Sequence, residues 1–438
     1  MLTIAITAAI CCSGANAYDL KWAETSLGTL NGGVKAMHVL SAEDNGYDPS
    51  NGTAYLLKLK YSTPDANGFG ASIGVYNTGD LFGMTDFNIN PSNERLARGM
   101  FVRDNEDDLT HVGELYVGYN SESVSAKLGF QLLDTPMTVA SQSTLPDFYN
   151  AYMFGMKPLP GLSVTAGQIT QMSFGARAMT SFGLIGEATR TGGISVLPNR
   201  AGLGQADFHD MAKVTLGPTA ADTNGITVLG ASYSGLDKWK FDAWNYYAND
   251  ITNVFYGEAE HKTKLDNGLG LSVSGQLLMQ SEVGAQLGGT LDYNLVGVKA
   301  TLGGKGWSIY GALNNSSGST EMLNGWGGDP AYTSTIFSRN AYREDVSAFK
   351  IGGKYVFTKG LVGMISHANY GQSNTGGFAG GAARPITDAE ETDLVLVYKP
   401  TKDWMLKTFW AFRTSEYDGR GGVERTQSHL RAIVSYTF

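Results

Sequence analysis

Read backwards from Phe438 in steps of two, the chain gives Tyr436, Val434, Ala432 and Leu430, all apolar. The positions between them, Thr437, Ser435, Ile433, Arg431 and His429, are mostly polar. A period of two describes a strand with one face in an apolar medium and the other in water. Chain ends fray in soluble domains. An apolar strand that finishes on an aromatic therefore points to a closed barrel, whose last strand pairs with its first. Phe438, Tyr436 and Val434 are the expected barrel-closure signal, of the kind that the bacterial barrel assembly machinery reads.

The alternation recurs in segments of roughly ten residues, the length a tilted membrane strand needs. It predicts strands at 27–41, 53–63, 69–78, 111–120, 123–133, 148–157 and 162–172. Further strands follow at 226–234, 238–248, 251–264, 269–279, 291–302, 307–315, 345–357, 361–372, 393–399, 404–414 and 428–438. The total is about eighteen, even as in single-chain bacterial barrels. Every second connection is short and made of turn residues, as in Pro64-Asp65-Ala66-Asn67-Gly68, Asp266-Asn267-Gly268 and Thr358-Lys359-Gly360. The others are mostly long: 79–110, 134–147, 173–225, 316–344 and 373–392. Short periplasmic turns and long extracellular loops are the asymmetry of an outer-membrane barrel. The predicted fold is all-β, a transmembrane antiparallel up-and-down β-barrel forming one domain over 18–438.

Two segments carry an aromatic girdle on their outward set: Tyr55, Leu57, Leu59, Tyr61, and Trp404, Leu406, Thr408, Trp410, Phe412. Aromatics with a polar tip suit the two interfaces and aliphatics the hydrocarbon. The opposite face then lines a lumen. Its candidate basic lining is Lys127, Lys350, Lys354, Lys407, Arg413 and Arg431, together with Lys58, Lys60 and Lys240. Asp242, Glu258 and Glu260 are the candidate acidic lining with Glu114, and Asp134 is a candidate constriction residue. A charged lumen needs water, so this is a channel. A circumference of about eighteen strands is too wide for side chains to fill. An inward loop must narrow it, and the candidates are 134–147 and 173–225, the latter carrying Arg177, Arg190, Arg200 and Asp207.

Residues 2–12 form an apolar run of signal-peptide length, followed by Ala15-Asn16-Ala17, which places a cut before Tyr18. No Lys or Arg precedes the run, a departure from the usual pattern. Both cysteines, Cys11 and Cys12, fall inside 1–17, so the mature chain is expected to hold no disulfide and no thiolate metal site. Export without disulfides suits the Gram-negative envelope. With 42% hydrophobic residues and 57 glycines among 438, no other run is long enough for a membrane helix. The net charge of -9 argues against a nucleic-acid partner.

Leu128-Gly129-Phe130-Gln131-Leu132-Leu133-Asp134-Thr135-Pro136-Met137, Leu145-Pro146-Asp147-Phe148 and Leu162-Ser163-Val164-Thr165-Ala166-Gly167-Gln168 resemble the OprD family of substrate-selective outer-membrane porins. So do Phe337-Ser338-Arg339-Asn340-Ala341 and Arg343-Glu344-Asp345. The resemblance implies an 18-stranded barrel, monomeric or a homotrimer, with an inward third loop and a basic ladder that guides carboxylate-bearing solutes. Carried onto this chain, that ladder is Lys350, Lys354, Lys407, Arg413 and Arg431. Lysine predominates on it where the family favours arginine, a point charge in place of a bidentate fork.

The reading is passive diffusion of small hydrophilic, charged or carboxylate-bearing solutes through a barrel set in outer-membrane lipid and lipopolysaccharide. A general cation-selective porin is the alternative within the class, and an outer-membrane barrel hydrolase the alternative outside it. Gly70-Ala71-Ser72-Ile73-Gly74 matches G-x-S-x-G but lies inside a strand, where no nucleophile elbow forms. The six histidines have no zinc spacing, and the acidic run 104–108 lacks the EF-hand pattern. No cofactor, no metal and no enzyme activity are expected.

Overall fold

A computed structural model of the chain describes residues 18–22, 25–44, 49–84, 108–138, 144–175, 203–204, 206–323, 325–326, 328–336, 338–340, 343–371, 386–417 and 423–438. The expected signal peptide at 1–17 lies outside them, as do Arg177, Arg190, Arg200 and the acidic positions 104–107. The first strands are β1 (Tyr18–Trp22), β2 (Thr25–Glu43), β3 (Ser50–Ser62), β4 (Phe69–Asp80), β5 (Leu109–Asn120), β6 (Val124–Gln131), β7 (Phe148–Leu159) and β8 (Leu162–Ser173). A two-residue β9 (His209–Asp210) leads into the short helix α1 (Met211–Leu216). Next come β10 (Ile226–Tyr233), β11 (Trp239–Ala248), β12 (Thr252–Lys264), β13 (Gly270–Glu282), β14 (Asp292–Gly304) and β15 (Trp307–Gly318). The last are β16 (Ser347–Thr358), β17 (Leu361–Tyr370), β18 (Ile386–Tyr398), β19 (Trp404–Tyr417) and β20 (Val423–Thr437).

Leaving aside β1 and β9, the strands pair antiparallel with their sequence neighbours, β8 passing directly to β10. The seam between β2 and β20 runs from Gly33 opposite Thr437 to Glu43 opposite Gln427 and closes an 18-stranded barrel. Phe438 extends that seam, its N–H and C=O exchanging 2.9 Å bonds with Gly32. The predicted segments coincide with these strands to within a few residues, with three differences. β1 is an additional strand, paired with the start of β2. β18 begins at Ile386 rather than 393, because Asp388–Thr392 is polar on both faces and shows no alternation. β20 begins at Val423 rather than 428.

The alternation sorts the two faces physically. Leu57, Leu59, Val117, Phe154, Val298, Ile351, Leu396 and Trp410 stand exposed on the outer surface, which in lipid is their preferred solvent. Their neighbours one position away point inward and are largely buried or polar. Val298, 55% exposed, lies midway along β14. Val298→Lys is expected to destabilise the folded barrel in vesicles by about 2–4 kcal/mol, the cost of a lysine near the bilayer midplane. Urea unfolding followed by tryptophan fluorescence measures it, and an unchanged midpoint would contradict a lipid-facing Val298.

The upper lumen is packed. Asp210 caps α1 by accepting from the Ala212 N–H at 2.8 Å, and Gly217 ends it at a φ of 106°, its N–H donating to Lys213 O. Met211 and Val214 of α1 join Met137, Tyr149, Tyr246, Leu323 and Trp326 in the largest apolar cluster. Described residues of 134–147 and 173–225, Met137, Met211 and Val214 among them, thus pack against Tyr149 and Tyr246. A third segment, 319–346, adds Leu323 and Trp326.

Candidate functional site: a charged lumen crossed by a loop

β3, β4, β5 and β6 build the first charged wall. Glu114, 2% exposed, accepts from Lys60 Nζ and from the Tyr76 hydroxyl, each at 2.6 Å, and pairs with Lys58 at 3.6 Å. Gly74 faces Glu114 across the β4–β5 pair and leaves room for its carboxylate; a Cβ there would stand 3.3 Å from Oε1. The ammonium groups of Lys60 and Lys127 lie 5.0 and 4.1 Å from the Tyr116 ring centroid, within cation–π range. The basic surface continues across the seam through Lys35 on β2, Arg431 on β20 and Lys407 on β19. Arg431 Cζ and Lys407 Nζ lie 5.3 and 5.7 Å from the Phe409 ring centroid. Strand parity puts all six cations, Lys127, Lys60, Lys58, Lys35, Arg431 and Lys407, on the lumen face.

About half the circumference away, β11 and β12 carry the carboxylates. Asp242 pairs with Lys240 at 2.7 Å. Glu260 accepts from the Ser272 hydroxyl at 2.7 Å and pairs with Lys262 at 2.8 Å. The Tyr256 hydroxyl donates to Glu258. Gln276 sits opposite Glu258 in register, buried, and its amide nitrogen and oxygen have no partner among the described residues.

The described residues of segment 319–346 cross between the walls. Near β16 to β18 the strands grip it: Lys350 Nζ donates to Ser334 O at 2.7 Å. Asp393 accepts from the Ile336 N–H at 3.2 Å and Glu391 from the Ser338 N–H at 2.7 Å. The Tyr370 hydroxyl donates toward the carbonyls of Thr333 and Ser338 at 2.7 and 2.9 Å. Towards the opposite side, Leu323 exchanges two bonds with the Gln280 amide on β13. Trp326 O accepts from the Tyr149 hydroxyl on β7 at 2.6 Å, and the Gly328 N–H donates to Met137 O at 3.0 Å. A segment bonded both to β16–β18 and to β7 spans the lumen. The sequence pattern pointed only to 134–147 and 173–225, because 319–346 is rich in Gly, Ser, Thr and Asn and reads as an exposed loop.

The residues expected to line the pore thus separate into groups. Lys127, Lys407 and Arg431 stand on the basic wall, and Asp242, Glu258 and Glu260 on the facing one. Lys350, 7% exposed, is covered by the crossing segment, so it is a segment anchor rather than an open lining residue. Arg413 is 1% exposed and donates to the Ser415 hydroxyl at 3.4 Å. Lys354 is half-buried on the lumen face of β16, and Asp134 is exposed just beyond the end of β6. Glu391 escapes the sequence pattern because 373–392 reads as a loop, and Asp393 because, as first residue of the strand expected at 393–399, it carries no lining signal.

The OprD family of outer membrane porins matches residues 72–438. By sequence, no curated protein matches the chain. Among solved structures, OpdK from Pseudomonas aeruginosa, crystallised with vanillate, is 17% identical and superimposes with a TM-score of 0.69, covering 93% of this chain and 98% of its own. OccK9 (OpdG) from the same organism gives 0.71 at 17% identity, over 93% and 98% of the two chains. OccAB4 from Acinetobacter baumannii gives 0.71 at 15% identity, over 93% and 97%. With a family match over most of its length and a closed barrel of charged lumen, the chain belongs to the OprD family of outer-membrane porins.

Proposed function

We propose that this porin selects small carboxylate-bearing solutes, and the observation that carries the reading is the basic row Lys127, Lys60, Lys58, Lys35, Arg431 and Lys407 on one side of the lumen. Facing it, Asp242, Glu258 and Glu260 repel a carboxylate and attract an ammonium, so the field between the walls orients zwitterions and anions. Vanillate, bound in OpdK, is an aromatic carboxylate of that class. In the same reading 1–17 is a cleaved signal peptide, and the barrel assembly machinery recognises Phe438, Tyr436 and Val434. The barrel then works as a monomer or homotrimer among lipid and lipopolysaccharide, as a channel without catalytic activity.

The test is single-channel recording of the refolded chain from Tyr18 in a planar bilayer under a potassium chloride gradient. A reversal potential of anion-selective sign is expected. Glu114→Gln removes the carboxylate that offsets Lys58 and Lys60, and is expected to raise the anion-to-cation permeability ratio about two-fold. A cation-selective wild type that Glu114→Gln leaves unchanged would move the filter to the acidic wall.

A further inference from the structure

Beside Arg431 at one end of the basic row lies a buried polar chain that the solute path does not use directly. His429 on β20 is 2% exposed and Ser41 on β2, opposite it in register, is 1% exposed. His429 Nδ1 lies 2.5 Å from Ser41 Oγ, and Arg431 Nε donates to His429 Nε2 at 2.7 Å. The guanidinium has no acceptor atom, so Nε2 must offer its lone pair. A neutral imidazole then carries its single proton on Nδ1 and donates it to Ser41. The pair is therefore not a nucleophile with its base, since the histidine gives its proton to the serine rather than taking one. Instead, the chain of donors runs along the lumen face of β20 and across to β2: Arg431 to His429 to Ser41. Phe409 completes the seat, its ring 6.1 Å from the imidazole and 5.3 Å from Arg431 Cζ.

We propose that His429 is a positioning residue for Arg431, its tautomer set by Ser41. The bond to Nε holds the guanidinium over the Phe409 ring on the lumen face. Without it, Arg431 keeps its charge but loses that position. The inference rests on Arg431 belonging to the selective basic row, and the experiment separates the two.

The measurement is the anion-to-cation permeability ratio of the full channel in planar bilayers for R431Q, H429F, H429Q and S41A. R431Q is expected to lower the ratio about two-fold by removing one lumen charge. H429F keeps a planar ring but has no acceptor, and is expected to lower the ratio towards that of R431Q although every cation remains. H429Q places an amide oxygen near the Nε2 position and is expected to keep the wild-type ratio. S41A is expected to fall between wild type and R431Q. If R431Q lowers the ratio while H429F and S41A match wild type, the positioning role is overturned and the basic row stands. If R431Q itself changes nothing, the row fails and this role with it. Should H429F not assemble, S41A against H429Q decides: a lowered ratio in S41A alone supports the role, and equal ratios overturn it.

Discussion

Glu391→Gln combined with Asp393→Asn is expected to raise single-channel conductance about two-fold and to add open-state noise, by loosening the segment that crosses the lumen. Two loop N–H groups, from Ile336 and Ser338, end on these carboxylates. Hydrogen bonds to charged groups contribute about 1.5–3 kcal/mol each, roughly twice a neutral bond. The neutral amides keep the shape and an acceptor oxygen but lose the charge assistance. The lysine next to them amplifies the loss. Lys350 and Glu391 flank Ala368, which is in register with both and has a side chain small enough for the longer ones to approach over it. The ammonium of Lys350 is within electrostatic reach of both carboxylates. Neutralising them leaves Lys350 a buried cation that, among the described residues, faces neutral amides and the Ser334 carbonyl at 2.7 Å, and a buried charge stripped of its counter-charge costs about 3–5 kcal/mol. The segment has weaker reasons to stay than to move away from Lys350. Bonds at its far end, from Tyr149 and Gln280, keep it inside the barrel, so the expected change is a wider and noisier pore rather than an open one. A conductance equal to wild type, with equal noise, would show that β18 does not hold the constriction.

The barrel was legible in the sequence because lipid and water impose opposite demands on alternate residues. Strands such as β14, with Val296 and Val298 outward and Leu295 inward, or β19, with Trp404, Leu406 and Trp410 outward, state that demand one residue at a time. The lumen was legible only as a set of charged positions. Parity assigns Lys407 or Glu258 to the inner face, but the partners of those residues come from strands and loops far away in sequence. Lys350 reads the same as Lys407 in sequence, yet one is roofed by Ser334 and the other belongs to the open row. Segment 319–346 was illegible for a related reason. Inside a water-filled barrel a loop needs polar residues to bond to the walls, so Thr333, Ser338 and Asn340 are buried without any apolar periodicity to announce it. β18 shows the same effect at a strand end. Glu390 faces outward beside His367 at 4.0 Å while Glu391 faces the loop, and two adjacent carboxylates conceal the alternation.

Gly32→Val is expected to cut sharply the fraction of chain that reaches the heat-modifiable folded form, because the seam between β2 and β20 has no spare room at its lower end. The Phe438 ring lies on Gly32, and a Cβ there would stand 2.0 Å from Cζ. The ring would have to leave its neighbours, Tyr18 at 5.7 Å and Tyr436 at 6.1 Å, and would pull on the two 2.9 Å bonds between Gly32 and Phe438. Aromatic contacts of this kind contribute about 0.5–1.5 kcal/mol each and net backbone bonds about 1 kcal/mol each, so the loss is about 3–5 kcal/mol. Its consequence exceeds that figure, since an open seam exposes strand edges in a medium that cannot hydrogen-bond them. Valine favours strands, which removes backbone preference as the cause. Gly311→Val on β15 is the control, for a Cβ there meets nothing within 4 Å and adds only an apolar group to the outer surface. Deleting Phe438 approaches the same seam from its other strand and is expected to lower the folded fraction as Gly32→Val does. Folding of both variants at the level of Gly311→Val, read by gel mobility with and without heating, would mean that the barrel closes through the register from Gly33 to Glu43 alone.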